Sequence, residues 1–357
     1  MADLEATSAQ RAEQFAQLLD WARAAGRPYD CLVPLSGGKD STYVLYLCSQ
    51  VYKLKCLCVT LDNGYLSQYA RSNIESALRT IGADHVIYRV DRYTMIDLYR
   101  LFLEKCGMFC PACNRGIGVT MQAIARGFRV PLVVTGHGKI PTYLSDGRMP
   151  EVFEGGDASF FGEVLRGEPI EDRAAALTLY PSQQTALDRA ANRAARLFPR
   201  GLPTRAWWSF HSRVRRALRS SGLEKHPEPT VLDLYDYVDA PEDEVKRTLA
   251  EEMGWRAPAD RYEHIDCEVI DLKVYVQTLK FPELTPTTIS HSGLVRAGRM
   301  SREEALSIER EQLGNTKVPE VLDTFLSDIG LSRGEFEWYA REWQAADQFR
   351  ASSSRGG

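Results

Sequence analysis

The stretch CLVPLSGGKDSTYVLYL, residues 31 to 47, decides how the rest of the chain is read. Cys31 to Leu35 is a short apolar strand, SGGKDS (Ser36 to Ser41) is a turn with two adjacent glycines, and the following TYVLYLCSQVY is helix-like. A strand, a glycine-rich turn and a helix in immediate succession make the setting of an anion-binding loop. Gly37 and Gly38 admit close approach and unusual dihedrals, so backbone N–H groups converge at a helix N-terminus. Lys39 adds a point charge, and Ser36 and Ser41 add hydroxyl donors. The Walker A pattern GxxxxGK(S/T) is absent.

Working outward, a helical pattern covers residues 4 to 25. After the loop come a strand at 55 to 61, a helix near 67 to 81, a strand at 85 to 90, helices at 94 to 105 and about 112 to 127, and then PLVVTGH. Strands of nearly continuous apolar residues alternating with helices predict a doubly wound parallel α/β sheet, with ligands at the carboxyl ends of the strands. The alternation stops at 143 to 228, which is expected to be a mainly helical insertion. Within it, Arg189 to Arg219 holds nine arginines, no acidic residue, and Trp207, Trp208 and Phe210. It reads either as a solvated amphipathic face or as a patch for phosphate, RNA or a partner. From 229 to 345 the chain reads as a helical C-terminal region. It opens with VLDLYDYV, an edge strand or active-site loop, and carries a capping box at Ser301 and Glu304. Residues 1 to 142 form the expected loop-bearing domain, and 346 to 357 a disordered tail.

Lys plus Arg number 44 against 48 for Asp plus Glu, so no global positive field draws the whole chain to nucleic acid or a membrane surface. The start of the chain shows no export signal and no apolar run of 18 or more residues follows, so a cytoplasmic protein without a membrane partner is expected. Eight cysteines in that setting point away from disulfides. Cys31, Cys48, Cys56 and Cys58 lie in apolar runs and read as small hydrophobes.

Cys110 and Cys113, in FCPACNRG at the start of a helix, present two thiols from one turn, which suits zinc, an iron–sulfur cluster or a redox dithiol. Cys267 lies far along the chain in EHIDC. Cys106 adds a CxxxCxxC spacing that fits no other feature of the chain. His264 with Cys110, Cys113 and Cys267 would alternatively make a closed Zn2+ site. Cys113, in a first helical turn beside Arg115, is predicted to have a stabilised thiolate and to be the catalytic cysteine, able to carry a persulfide if no cluster is present.

SGGKDS resembles the PP-loop signature SGGxDS of the N-type ATP pyrophosphatases, which split ATP into AMP and diphosphate. The resemblance implies the adenine nucleotide alpha hydrolase-like fold, with Ser36, Gly37, Gly38, Lys39, Asp40 and Ser41 around the diphosphate. Asp40 would help hold Mg2+, and Lys39 and Asp40 would act in catalysis. It also implies nucleotide contacts from Asp62, in VTLDNGY, and from Gly136 and His137, in VVTGHG. The CxxC with a remote cysteine is similar to the PP-loop enzymes that thiolate tRNA, in which three cysteines hold a [4Fe-4S] cluster with one iron free for sulfur. That likeness implies Cys110, Cys113 and Cys267 as ligands.

A second likeness covers more of the chain. CPACNRGI (Cys110 to Ile117) and ISHSGLVRAGRMSREEAL (Ile289 to Leu306) resemble the PP-loop N-acetyl sugar amidotransferases of surface-polysaccharide synthesis. Those enzymes deliver ammonia from a separate glutaminase to an activated carbonyl; EHIDC departs from their pattern. The first likeness implies sulfur insertion. With no RNA-binding domain in view, the expected acceptor is a small nucleobase or nucleotide carbonyl, for example GMP converted to its 6-thio form, ahead of tRNA. A sulfur donor protein or sulfide, and a second copy of the chain, are the expected partners.

Overall fold

The computed structural model describes residues 8–136, 164–170, 229–258, 266–285, 287–296, 298, 300–314 and 317–342. The arginine-rich stretch, His137, His264 and the tail from 346 lie outside them. Five parallel strands form one sheet: β1 (Cys31–Pro34), β2 (Cys56–Asp62), β3 (Asp84–Arg89), β4 (Leu132–Thr135) and β5 (Thr230–Asp233), in the order β3-β2-β1-β4-β5. Cys31 stands opposite Cys56 on one side and Leu132 on the other.

The apolar strands are explained by burial on both faces, with successive side chains pointing to opposite sides. Cys31, Val33, Cys58 and Val134 pack with Phe15 and Leu19 of α1 (Ser8–Ala24), Val44 and Leu45 of α2 (Lys39–Tyr46) and Leu249 of α6 (Glu242–Met253). Leu32, Leu57, Val59 and Val133 face the opposite way, onto Met121 and Ala125 of α5 (Cys110–Gly127). This is the doubly wound arrangement that the alternation predicts. The order reverses between β1 and β4, which places the crevice of such folds between their carboxyl ends.

Three expectations need correction. The strand HVIYRV is not enclosed on both sides: β3 is an edge strand, and Ile87 on it is 61% exposed. Its apolar run therefore overstates its burial. The edge strand read in VLDLYDYV is β5, but it and the helix after it belong with the sheet rather than with the C-terminal helices, because β5 pairs in parallel with β4 and α6 packs on α2 and on α3 (Gln68–Ile81). Residues 230 to 253 thus complete the sheet domain. One helix, α10 (Leu322–Ile329), was not anticipated, although Leu322, Phe325, Leu326 and Ile329 fall on one buried stripe at helical spacing.

The remaining helices are α4 (Arg92–Cys106), α7 (Ile270–Lys280), α8 (Thr288–Arg296), α9 (Arg302–Gly314) and α11 (Arg333–Glu342). Half of the expected capping box is present before α9, where the Glu304 amide donates to Ser301 Oγ at 3.1 Å. A second core, led by Tyr99, Phe102, Phe109, Phe325 and Phe336, joins α4 and the start of α5 to α7, α10 and α11. The C-terminal helices are therefore packed on the sheet domain through an aromatic seam. Among the described residues no helix is long and apolar enough to cross a membrane.

Candidate active site

The loop after β1 is folded closely on itself at the N-terminus of α2. Ser41 Oγ accepts from the Ser36 amide at 3.2 Å, lies 3.1 Å from Ser36 Oγ and donates to the Gly38 carbonyl at 3.2 Å. Gly38 is the N-cap of α2 and no side chain caps it, so the first amides of the helix are left to serve an anion. Gly37 has φ +82°, and a Cβ there would stand 2.4 Å from the Ala70 carbonyl oxygen of α3. Only glycine fits that position.

Two distant residues fix the Gly37 peptide. Its carbonyl accepts from Trp255 Nε1 at 3.0 Å and from Asn73 Nδ2 at 3.2 Å. Asn73 also bridges to Arg256, accepting its amide and donating to its carbonyl, both at 2.9 Å. The segment after α6 thus holds the loop from behind. Replacing Trp255 by Phe removes one donor from a buried carbonyl and some packing. The expected loss is about 1 to 2 kcal/mol of stability, read as a lower denaturant midpoint with an unchanged slope. An unchanged midpoint would show that Asn73 alone suffices.

Lys39 is 4% exposed at its side chain, and its Nζ lies 3.0 and 2.9 Å from the two carboxylate oxygens of Asp40. Asp40 also accepts from the Tyr235 hydroxyl at 2.8 Å, just beyond β5. The lysine expected to face phosphate is therefore paired with its neighbour. Across the crevice, a Cβ at Gly136 would approach the Asp40 carbonyl oxygen to 3.3 Å and Val44 Cγ2 to 2.8 Å. Gly136 thus lets the end of β4 approach the first turns of α2. Asp266, unremarked in the sequence, brings its carboxyl carbon within 3.8 Å of where a Gly38 Cβ would be.

Asp62, at the end of β2, is buried and committed: it accepts from Arg89 Nε at 2.9 Å and from the Gly64 amide at 3.0 Å. Burial works against its charge, but these hydrogen bonds and the charges of Arg89 and Arg71 hold the carboxyl below its ordinary value. It braces the loop 62 to 65. The neighbouring Asn63 turns its amide towards sulfur, with Nδ2 3.2 Å from Cys113 Sγ and 3.9 Å from Cys267 Sγ.

Cys110 and Cys113 open α5. Cys267 is brought to them by a short antiparallel bridge to Leu66, in which Glu268 N donates to the Tyr65 carbonyl at 2.8 Å and Ser67 N to the Asp266 carbonyl at 3.2 Å. The three sulfurs border the same aromatic core; each keeps some solvent-accessible surface while protein atoms crowd around it. Burial pushes the Cys110 thiol up to about 12. Burial, then the nearby Cys113, raises Cys267 well above its ordinary value. The stabilised thiolate expected at Cys113 is not found: burial raises its pKa and outweighs the Asn63 hydrogen bond. Cys106 is enclosed in the core, where Lys280 donates to its carbonyl at 2.7 Å.

Among the described residues, no three His, Cys, Asp or Glu side chains stand at coordinating distance around one point. The donor set nevertheless suits a thiophilic group. Three thiols come from two segments, and one amide reaches two of them.

Residues 259–355 match the family described as LPS biosynthesis protein WbpG-like, C-terminal domain. The match includes Asp266, Cys267 and the helices from α7 onward. An uncharacterised protein of Methanocaldococcus jannaschii, MJ1599, is 31% identical over 112 residues; the alignment spans 31% of this chain and 39% of that protein. Two solved structures overlap loosely. The U34-tRNA thiolase NcsA from Methanococcus maripaludis, with its [4Fe-4S] cluster, shares 15% identity at a TM-score of 0.35, over 82% of this chain and 74% of that one. NMN synthetase from Francisella tularensis shares 14% identity at 0.31, over 56% and 99%. Overlaps this loose support no activity or cofactor.

Proposed function

We propose that the protein is an AMP-forming ATP pyrophosphatase of the PP-loop kind, which adenylates an oxygen of its acceptor so that a nucleophile can replace it. The observation that carries this reading is the loop 36 to 41. Its uncapped helix amides, Lys39 and Asp40 stand at the switch point of a doubly wound sheet, with the Asp266 carboxyl beside Gly38. Such a cradle favours the charge that develops on a leaving diphosphate. Asp40 would help hold Mg2+, which takes one or two carboxylates together with phosphate oxygens, and Asp266, whose carboxyl lies beside Gly38, is the candidate for a second carboxylate. Bound there, the ion would neutralise phosphate charge. When phosphates arrive, Lys39 exchanges Asp40 for them, and Tyr235 keeps its hydrogen bond to the carboxylate.

The match at 259–355 to an LPS biosynthesis family supports an acceptor from surface-polysaccharide synthesis; the likeness of CPACNRGI and ISHSGLVRAGRMSREEAL to the N-acetyl sugar amidotransferases makes that acceptor an N-acetyl sugar and ammonia the nucleophile. A second reading, sulfur insertion into a nucleobase carbonyl of a nucleotide or tRNA, is favoured by the gathering of Cys110, Cys113 and Cys267 beside Asn63. In that case the three cysteines would hold an iron–sulfur cluster, or zinc in a structural role, and the cluster would supply a site for the incoming sulfur.

The test is to incubate the protein with Mg2+ and ATP and to add ammonium or sulfide in turn, with N-acetyl sugar nucleotides or GMP as acceptors. AMP and diphosphate in equal amounts are expected, and the nucleophile that raises their rate identifies the second half-reaction. Formation of ADP and phosphate would refute attack at the α-phosphorus.

A further inference from the structure

Three arginines surround the turn that follows β2. Arg89 grips the buried Asp62 through Nε and Nη2. Arg71, on α3, places Nη2 3.8 Å from the same carboxylate, and its Nε donates to the Leu66 carbonyl at 3.3 Å. Arg92 opens α4 and reaches two ways. Its Nη2 donates to both carboxylate oxygens of Asp328, on α10, at 2.9 Å, and its Nη1 lies 3.7 Å from where a Gly64 Cβ would stand. Tyr65 closes that corner, its hydroxyl donating to Asp328 at 2.6 Å and its ring centroid 5.9 Å from the Arg92 guanidinium carbon.

The two carboxylates are more covered than the guanidiniums they hold. The side chains of Arg89, Arg71 and Arg92 are 68%, 48% and 52% exposed, against 2% for Asp62 and 22% for Asp328. Nη1 of each arginine has no hydrogen-bond acceptor among the described residues. The acids therefore fix the forks in place while donor edges stay available, an arrangement that matches the oxygens of a phosphate. The turn lies at the carboxyl end of β2, its Asn63 faces Cys113, and α10 belongs to the C-terminal helices. The arginines thus stand on the seam between the sheet domain and those helices, where ligands commonly lodge. We infer that Arg71, Arg89 and Arg92 bind the phosphate group of the acceptor, which makes the acceptor a nucleotide or a nucleotide-linked sugar and not a free base or free sugar. Three guanidiniums around one short turn suit one phosphate or diphosphate; the backbone of an RNA would need a longer basic track. The inference rests on the proposed use of an acceptor beside ATP and names the group by which that acceptor is held.

The test is calorimetric titration of the full-length protein, with the loop 36 to 41 first saturated by Mg2+ and α,β-methylene-ATP. GMP is compared with guanosine, and UDP-N-acetylglucosamine with N-acetylglucosamine. In at least one pair the phosphorylated member is expected to bind and its counterpart not. Arg71→Gln and Arg92→Gln should each weaken that binding about 10- to 100-fold, the loss of hydrogen bonds to a charged group. Their melting temperatures should stay near wild type, because exposed ion pairs add little stability and Asp328 keeps the Tyr65 hydroxyl. Arg89→Lys retains a charge against Asp62 without the fork, so it should weaken phosphate binding while leaving no buried acid unpaired. Equal binding within both pairs, no binding of any probe, or wild-type affinity in the Arg71 and Arg92 variants would each overturn the inference. So would tight binding of a single-stranded RNA, lost in the same variants, with no binding of the mononucleotide or the sugar nucleotide. ADP and phosphate in the ATP assay would refute the proposed chemistry by itself, and failed titrations would leave AMP formation untouched.

Discussion

Replacing Lys39 by Ala is expected to slow diphosphate release from ATP by about 10²- to 10³-fold, the effect of removing one preorganised donor from a site of developing charge. The fold should survive the change. Asp40 keeps the Tyr235 hydroxyl and has solvent access of its own, so no uncompensated charge is left sealed inside. Parallel measurements of diphosphate release and of thermal unfolding separate the two consequences. Turnover within a few-fold of wild type would remove Lys39 from the mechanism and, with it, the argument for the loop. A collapse of stability would show instead that the pairing with Asp40 is structural.

Gly37→Ala is expected to be the most damaging single-methyl change in the loop. The position combines φ +82°, which L side chains rarely adopt, with backbone atoms of Ala70 at 2.4, 2.8 and 2.9 Å from the added carbon. Those atoms belong to α3, whose displacement would disturb the helix packed on α6. Strain and overpacking together are expected to cost about 2 to 4 kcal/mol. The Gly37 carbonyl would also move off Trp255 and Asn73, so diphosphate release should fall even where the protein remains folded. Equilibrium denaturation reads the first effect, and turnover well below the midpoint reads the second. A variant with wild-type stability and turnover would refute the loop geometry described above.

Most of the scaffold was legible because its signals are local. The apolar strands, the helix starts and stops and the glycine pair at 37 and 38 each follow from neighbours in sequence. The edge position of β3 was not legible, since Ile87 and Tyr88 look the same in a strand whether or not another strand covers them. The supports of the site were hidden for a related reason. Trp255 and Asn73 hold Gly37 across more than one element, and Tyr235 reaches Asp40 from beyond β5. No spacing rule connects such residues. The first helical turn around Cys113 favours a thiolate, but burial, which no local sequence signal reveals, opposes it and prevails. Asp266 carries only a faint signal in the sequence, as the acid next to a remote cysteine.

The bridge between Leu66 and Cys267 gives the C-terminal helices mechanical leverage over the sulfur site. Cys267 is fastened to the β2 loop on one side and leads within three residues into α7 on the other. Cys110 and Cys113 ride instead on α5, which is seated against the sheet. A tilt of the C-terminal helices would therefore change the separation of Cys267 from Cys110 and Cys113 directly.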